Sequence, residues 1–205
     1  MKEYIMESNT TQPGEHSFDG DSVTVRTSGE SGFFSPRRVA RVAILVALSA
    51  VGAFIKIPSP TGTVALDAAP GYLSGAVFSP IEGSIVGALG HLLSALTTGF
   101  PLGLPVHLLI AVEMAVFVWL FGMMVRKINV WVAAVIAILI NGFVGAAVMI
   151  PIGGTGMFVA LIVPLLVGSA VNVVVAVLAA AALSAAGLAA HNVIARKKHN
   201  PSSKR

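Results

Sequence analysis

From Arg37 onward the chain is a succession of apolar runs separated by short polar or proline-rich breaks. A helix that crosses a bilayer needs about 20 mostly apolar residues, and six runs meet or approach that length. The first extends from Arg38 to about Ile57 and ends at "IPSPTG", because proline stops a helix. A shorter, weaker run follows from Ala68 to Phe78, punctuated by "SPIEG". The third covers Ile81 to about Thr98, before "GFPLGLP"; the fourth covers Val106 to Val125 and stops at "RKIN". The fifth runs from Val130 to Ile150, closed by "PIGGTG". The sixth, Met157 to about Ala190, exceeds one crossing, so it tilts, kinks at Pro164 or leaves the bilayer. The pattern predicts an all-α integral membrane protein with six transmembrane helices.

Basic residues test the weak second run. Arg37, Arg38 and Arg41 open the first span, Arg126 and Lys127 separate the fourth from the fifth, and Arg196, Lys197 and Lys198 follow the sixth. Six crossings put all three clusters on one side, which the positive-inside rule makes cytoplasmic. Without the second run, Arg126 and Lys127 would fall opposite the first cluster. Both termini are therefore expected in the cytoplasm. The loops at 58–65, 100–105 and 151–156 then face outside.

Composition agrees. The chain is 56% hydrophobic and 11% charged, with a mean hydropathy of +0.88, against about 25% charged residues in soluble domains. The absence of cysteine excludes disulfides. The net charge of +4 sits at the ends of the runs rather than on a nucleic-acid-binding face. Residues 1–36 are polar, acidic and rich in Ser, Thr and Gly. Such a segment buries too little apolar surface to fold, so a disordered tail is expected there, without the basic and apolar regions of a signal peptide.

Against this apolar background a few polar side chains stand out: His91, His107 and Glu113 in the third and fourth spans, Asn141 and Asn172 in the fifth and sixth, and Lys56 and Asp67 around the first outer loop. Most fall between the outer surface and the midplane. A charged group at the centre of a membrane helix costs at least about 2.5–3.5 kcal/mol, so it normally faces a partner or a wet cavity. Glu113 lies six residues beyond His107, about 9 Å deeper at 1.5 Å per residue, and about 120° short of two full turns. One narrow stripe therefore cannot carry both. Plainer roles compete. The asparagines suit interhelical hydrogen bonding, Lys56 suits snorkelling from a helix end, His107 suits an interface, and Glu82 suits a solvated cytoplasmic turn. The loop "KIPSPTGTVALD" reads as a connector or as a lid over an outward cavity.

Catalytic chemistry finds little purchase. There is no H-E-x-x-H, and His91, His107 and Glu113 have no standard zinc spacing, so no metal site is expected. No P-loop and no G-x-S-x-G elbow occur. Ser94 follows His91 by three residues but shows no third member of a triad. Without evident internal repeats, and with Glu113 the one clear intramembrane carboxylate, binding is favoured over ion-driven pumping. No cofactor is implied. In the first span Ala43 and Ala47 stand four apart, and Ser49 and Ala53 repeat the spacing. Small residues so placed let another helix approach closely, within this chain or from a partner.

These features resemble the substrate-binding S-components of energy-coupling factor vitamin importers. The likeness runs from about Arg37 to Lys198 and is carried by "GAFIKIPSPTGTVALD" and "GHLLSALTTGFPLGLPVHLLIAVEMAVFVWLFG", which look most like the components assigned to α-ribazole, a cobalamin precursor. The resemblance implies a non-enzymatic binding subunit in the bacterial plasma membrane. Residues 37–195 would form the substrate-binding domain and 196–205 a basic cytoplasmic tail. A transmembrane coupling protein and two cytoplasmic ATPases would be its partners, with Ala43 and Ala47 docking on the former. It also implies a vitamin cavity capped by the first and third outer loops; the chemistry of the chain's own residues makes His91, His107 and Glu113 the leading contacts there, Asp67, Asn141 and Asn172 further ones, and Phe54, Phe100 and Leu104 apolar walls. The alternatives are the same architecture for pantothenate or a hydroxymethylpyrimidine, or a membrane enzyme using His91 and Glu113. Metal-carrying relatives begin Met-His; this chain begins "MKEYIM", which disfavours nickel and cobalt ions.

Overall fold

The computed structural model describes residues 35–59 and 62–189. Of the tail expected over residues 1–36, residues 1–34 lie outside the described residues and Pro36 already opens the first helix; the basic segment 196–205 also lies outside the described residues. Helix α1 (Pro36–Gly52) leads into an antiparallel hairpin of β1 (Lys56–Ser59) and β2 (Gly62–Ala65). Then come α2 (Ala69–Val77), α3 (Pro80–Thr97), α4 (Leu104–Lys127) and α5 (Val130–Leu139). A π-helical turn, Ile140–Val144, joins α5 to the short α6 (Gly145–Val148), and α7 (Ile150–Ala185) follows.

Among the described residues, three helical runs are long and apolar enough to cross a membrane: Leu104–Lys127, Val130–Val148 and Ile150–Ala185. Helix α2 has nine residues, about 14 Å at 1.5 Å each, half of a hydrocarbon core of about 30 Å. It is instead the buried centre of the bundle. Eight of its nine residues are buried, and it packs on α1, α3, α4 and α7. Tyr72 stands edge-on to Phe121 of α4, with ring centroids 5.2 Å apart.

Glycine makes that encasement possible. A Cβ on Gly83 would lie 2.6 Å from the Gly75 Cα, and one on Gly71 would lie 2.9 Å from the Gly87 Cα. The backbones of α2 and α3 therefore touch along Gly71, Gly75, Gly83 and Gly87, the contact that small residues four apart allow. Gly90 extends it to α1, where a Cβ would meet the Ser49 side chain at 2.7 Å.

Two expectations change in the loops. The first outer loop is a hairpin, with Lys56 opposite Ala65 and Ser59 opposite Gly62, so the otherwise helical fold carries two short strands. The segment "PIGGTG" is not a free loop; it lies within α7, whose helical geometry is interrupted at Gly154 (φ 70°, ψ −173°) rather than at Pro164. Only glycine adopts that backbone region readily.

Glu82 departs from expectation as well. It is not a solvated turn residue but is buried. Its Oε1 accepts from Arg38 Nε at 2.9 Å, and Arg41 grips both oxygens, Nε to Oε2 at 2.9 Å and Nη2 to Oε1 at 2.8 Å. Ser79 caps α3 by accepting from the Glu82 amide, which fixes the carboxylate at the positive end of the helix. The Arg41 guanidinium also lies 4.2 Å from the Phe78 ring centroid. From α4, Arg126 donates to the carbonyls of Gly75, Gly122 and Phe78. The start of α1, the α2–α3 turn and the end of α4 thus meet at one end of the bundle.

Candidate functional site

At the other end the chain encloses a cavity of about 360 Å³. It is lined by Lys56 and Ala65 of the hairpin, by Asp67 and Ala68, and by Pro101 and Leu102 of the loop between α3 and α4. His91, Ser94, Ala95 and Thr98 face it from α3, His107, Ile110 and Met114 from α4, and Asn141 from the π-helical turn. Helix α7 completes the wall with Leu161, Leu165, Gly168, Ser169 and Asn172.

A directed chain of polar groups crosses one wall. The Leu102 amide donates to His107 Nε2 at 3.5 Å. His107 Nδ1 is 3.2 Å from His91 Nε2, and His91 Nδ1 is 4.0 Å from Asp67 Oδ2. With Nε2 of His107 accepting from the backbone, the tautomer we assign to a neutral ring carries its proton on Nδ1, toward His91. His91 then accepts through Nε2 and holds its own proton on Nδ1, toward Asp67. The rings stack with centroids 5.3 Å apart, and Phe100 backs His107 edge-on at 5.7 Å. Phe100 holds a positive φ of 53° between two glycines of the same kind, Gly99 and Gly103. Such a backbone is uncommon for a bulky residue, and it turns the Leu102 amide back toward the start of α4.

Asp67, in the turn before α2, is buried. Burial pushes its carboxyl up to about 6, and hydrogen bonds from Ser94 and from the backbone at Asp67 and Ala68 oppose the rise. Asn172 is occupied by the fold. Its Oδ1 accepts from the Ala69 amide at 2.7 Å, and its Nδ2 donates to the carbonyls of Ala65 at 3.0 Å and Gly168 at 2.9 Å. It pins the end of the hairpin and the start of α2 to α7.

The structure brings His91, His107, Asp67, Asn141 and Asn172 to one cavity, together with Lys56. Glu113 does not line it; it faces a smaller adjoining hollow, as the turn offset from His107 requires. The expected apolar walls are corrected. Phe54 is 72% exposed and Leu104 51% exposed, and neither borders the cavity, while Phe100 touches it only through His107. Ile110, Met114, Leu161 and Leu165 supply the apolar surface instead. Ser94, Thr98 and Ser169 were missed as lining residues. Ser94 and Ser169 each stand three positions from a singled-out residue, His91 and Asn172, and that helical spacing is the signal that could have found them.

Apolar helices around a mostly apolar hollow with a few convergent polar groups define a membrane-embedded small-molecule binding protein. The family model for the ECF transporter, substrate-specific component, matches residues 37–184, and the chain belongs to that family. Such components bind a small-molecule substrate and work with a coupling protein and ATPases; they are not enzymes. No curated protein and no solved structure matches the chain.

Proposed function

We propose that this S-component captures α-ribazole from outside a bacterial cell and hands it inward through its partner subunits. In this reading the chain passes through the plasma membrane six times, the second pass made by the short α2, encased among the other helices, together with the segment that leads into it, and both ends are cytoplasmic. Arg38, Arg41 and Arg126 gather at one end of the bundle, the end that a positive-inside arrangement turns to the cytoplasm. The cavity then opens outward beneath the hairpin.

The observation that carries the ligand class is the one-way chain from Leu102 through His107 and His91 toward Asp67. Two imidazoles side by side offer a stacking face and ring edges that suit a flat heteroaromatic base, within a volume suited to a molecule of nucleoside size. Benzimidazole with a ribose fits that description.

The purified solitary chain, extracted from cells, is expected to carry a benzimidazole nucleoside at 1:1 stoichiometry, identified by mass spectrometry. Isothermal titration against α-ribazole, pantothenate and hydroxymethylpyrimidine then ranks the candidates. His107→Ala is expected to weaken α-ribazole about 3- to 10-fold, the worth of a lost neutral hydrogen bond. Tight binding of pantothenate or the pyrimidine, with none of α-ribazole, would replace this reading.

A further inference from the structure

Behind the main cavity lies a second hollow of about 70 Å³. Leu102, Ile110, Met114, Asn141, Leu161 and Leu165 border both. Where the two meet, Asn141 Nδ2 touches the Met114 sulfur at 4.0 Å. A thioether is a weak acceptor, and methionine is the most easily repositioned of apolar side chains. This partition is therefore soft.

Two polar groups face the inner hollow. Glu113 Oε1 is buried and has no hydrogen-bond partner among the described residues. Asn141 Oδ1 is turned toward Gly145, where a Cβ would stand 3.3 Å from it, and Gly145 also lines this hollow. Asn141 sits in the π-helical turn Ile140–Val144. A π-turn inserted in an α-helix re-aims its side chains and is frequent at functional sites. The remaining wall, from Phe117, Met149 and Leu161, is apolar. A carboxylate oxygen left unpaired in such surroundings is costly, and a guest that supplies a donor to it removes that cost.

We propose that the inner hollow is a second subsite, where Glu113 and Asn141 together receive a hydroxyl-bearing end of the guest after Met114 swings aside. Hydroxyls answer both groups, donating to the carboxylate and both donating to and accepting from the amide. An ammonium would leave the amide N–H groups unpaired. The inference rests on the chain binding a small molecule as proposed above, and it assigns the two ends of that molecule: the ring plane to the histidines, the hydroxyls to Glu113.

Titration with paired probes tests it. α-Ribazole is compared with 5,6-dimethylbenzimidazole, its base without the sugar, and riboflavin with lumiflavin, the same ring with a methyl in place of the polyol. Glu113→Leu keeps the bulk and removes the oxygens; Gly145→Val fills the hollow and removes no polar group. Each variant is expected to weaken the hydroxylated member of the bound pair at least about tenfold and the bare ring less than about twofold. Equal weakening of both members, or none, overturns the subsite, while α-ribazole binding by the wild type keeps the proposed function. The expected pattern with riboflavin alone keeps the subsite and overturns α-ribazole as the ligand. Binding of neither pair by the wild type overturns both.

Discussion

Arg41 holds Glu82 by both carboxylate oxygens, Nε to Oε2 at 2.9 Å and Nη2 to Oε1 at 2.8 Å, across forty-one positions of sequence. The pair clamps the start of α1 to the start of α3, and Arg38 adds a third bond to the same carboxylate.

Breaking that clamp is expected to destabilise the bundle. Removing one member of a buried pair costs about 3–5 kcal/mol, whereas exposed pairs contribute about 0–1. The Glu82 side chain is 4% exposed but those of the arginines are 27% and 34% exposed. Glu82→Ala is therefore expected to cost about 2 kcal/mol. Thermal melting in detergent micelles measures it, and an unchanged midpoint would show that the clamp contributes nothing.

Gly83→Ala places a methyl 2.6 Å from the Gly75 backbone, which neither helix can vacate by a side-chain rotation. Overpacking of this sort costs about 1–3 kcal/mol. Gly156→Ala, where a Cβ meets nothing within 4 Å, serves as the control and is expected to leave the midpoint level or raise it. Equal melting of the two variants would refute the backbone contact between α2 and α3.

The buried Asp67 carboxyl makes stability depend on pH. Its pKa is raised from 3.8 to about 6, so the folded chain binds this proton more tightly than the unfolded one. The contribution is present in full below pH 3.8 and is lost as pH rises toward 6; it amounts to about 3 kcal/mol at 1.36 kcal/mol per pK unit. Asp67→Asn removes it. The stability of the wild type minus that of Asp67→Asn is expected to fall between pH 4 and pH 7, as read by melting at both. A flat difference would mean that the carboxyl titrates as it does in water.

Ala43 and Ala47 lie on the exposed side of α1 with Ile44, Leu48 and Val51. Their small side chains are not consumed by packing within the described bundle, and we propose that a helix of the coupling protein docks on them. Changing both to Leu is expected to spare ligand binding by the solitary chain and to abolish uptake by cells that also express the coupling protein and ATPases. Undiminished uptake, followed with labelled α-ribazole, would remove this face from the docking surface.

Much of the site was legible because polar residues are costly in apolar runs: His91, His107 and Asp67 announce themselves and meet on one wall. Glu113 announces itself as well, but its neighbours depend on helix rotation, which places it in the second hollow. The ion pairs of Glu82 join residues 41 and 44 positions apart, and no local pattern reports such a partner. The hairpin was hidden by its prolines and glycines, which read as loop in strands of only four residues. The glycines of α2 and α3 stand four apart as plainly as the alanines of α1, but spacing alone does not say which small stripe faces inward and which faces a partner. The shortness of α2 shows in the run from Ala68 to Phe78, but nothing local says that its apolar character comes from burial among helices rather than from lipid.

Asn172 holds the first amide of α2 from a helix made more than a hundred residues later. This contact can form only once α7 has been made, so a nascent chain cut short before α7 would leave the Ala69 amide without its Asn172 acceptor.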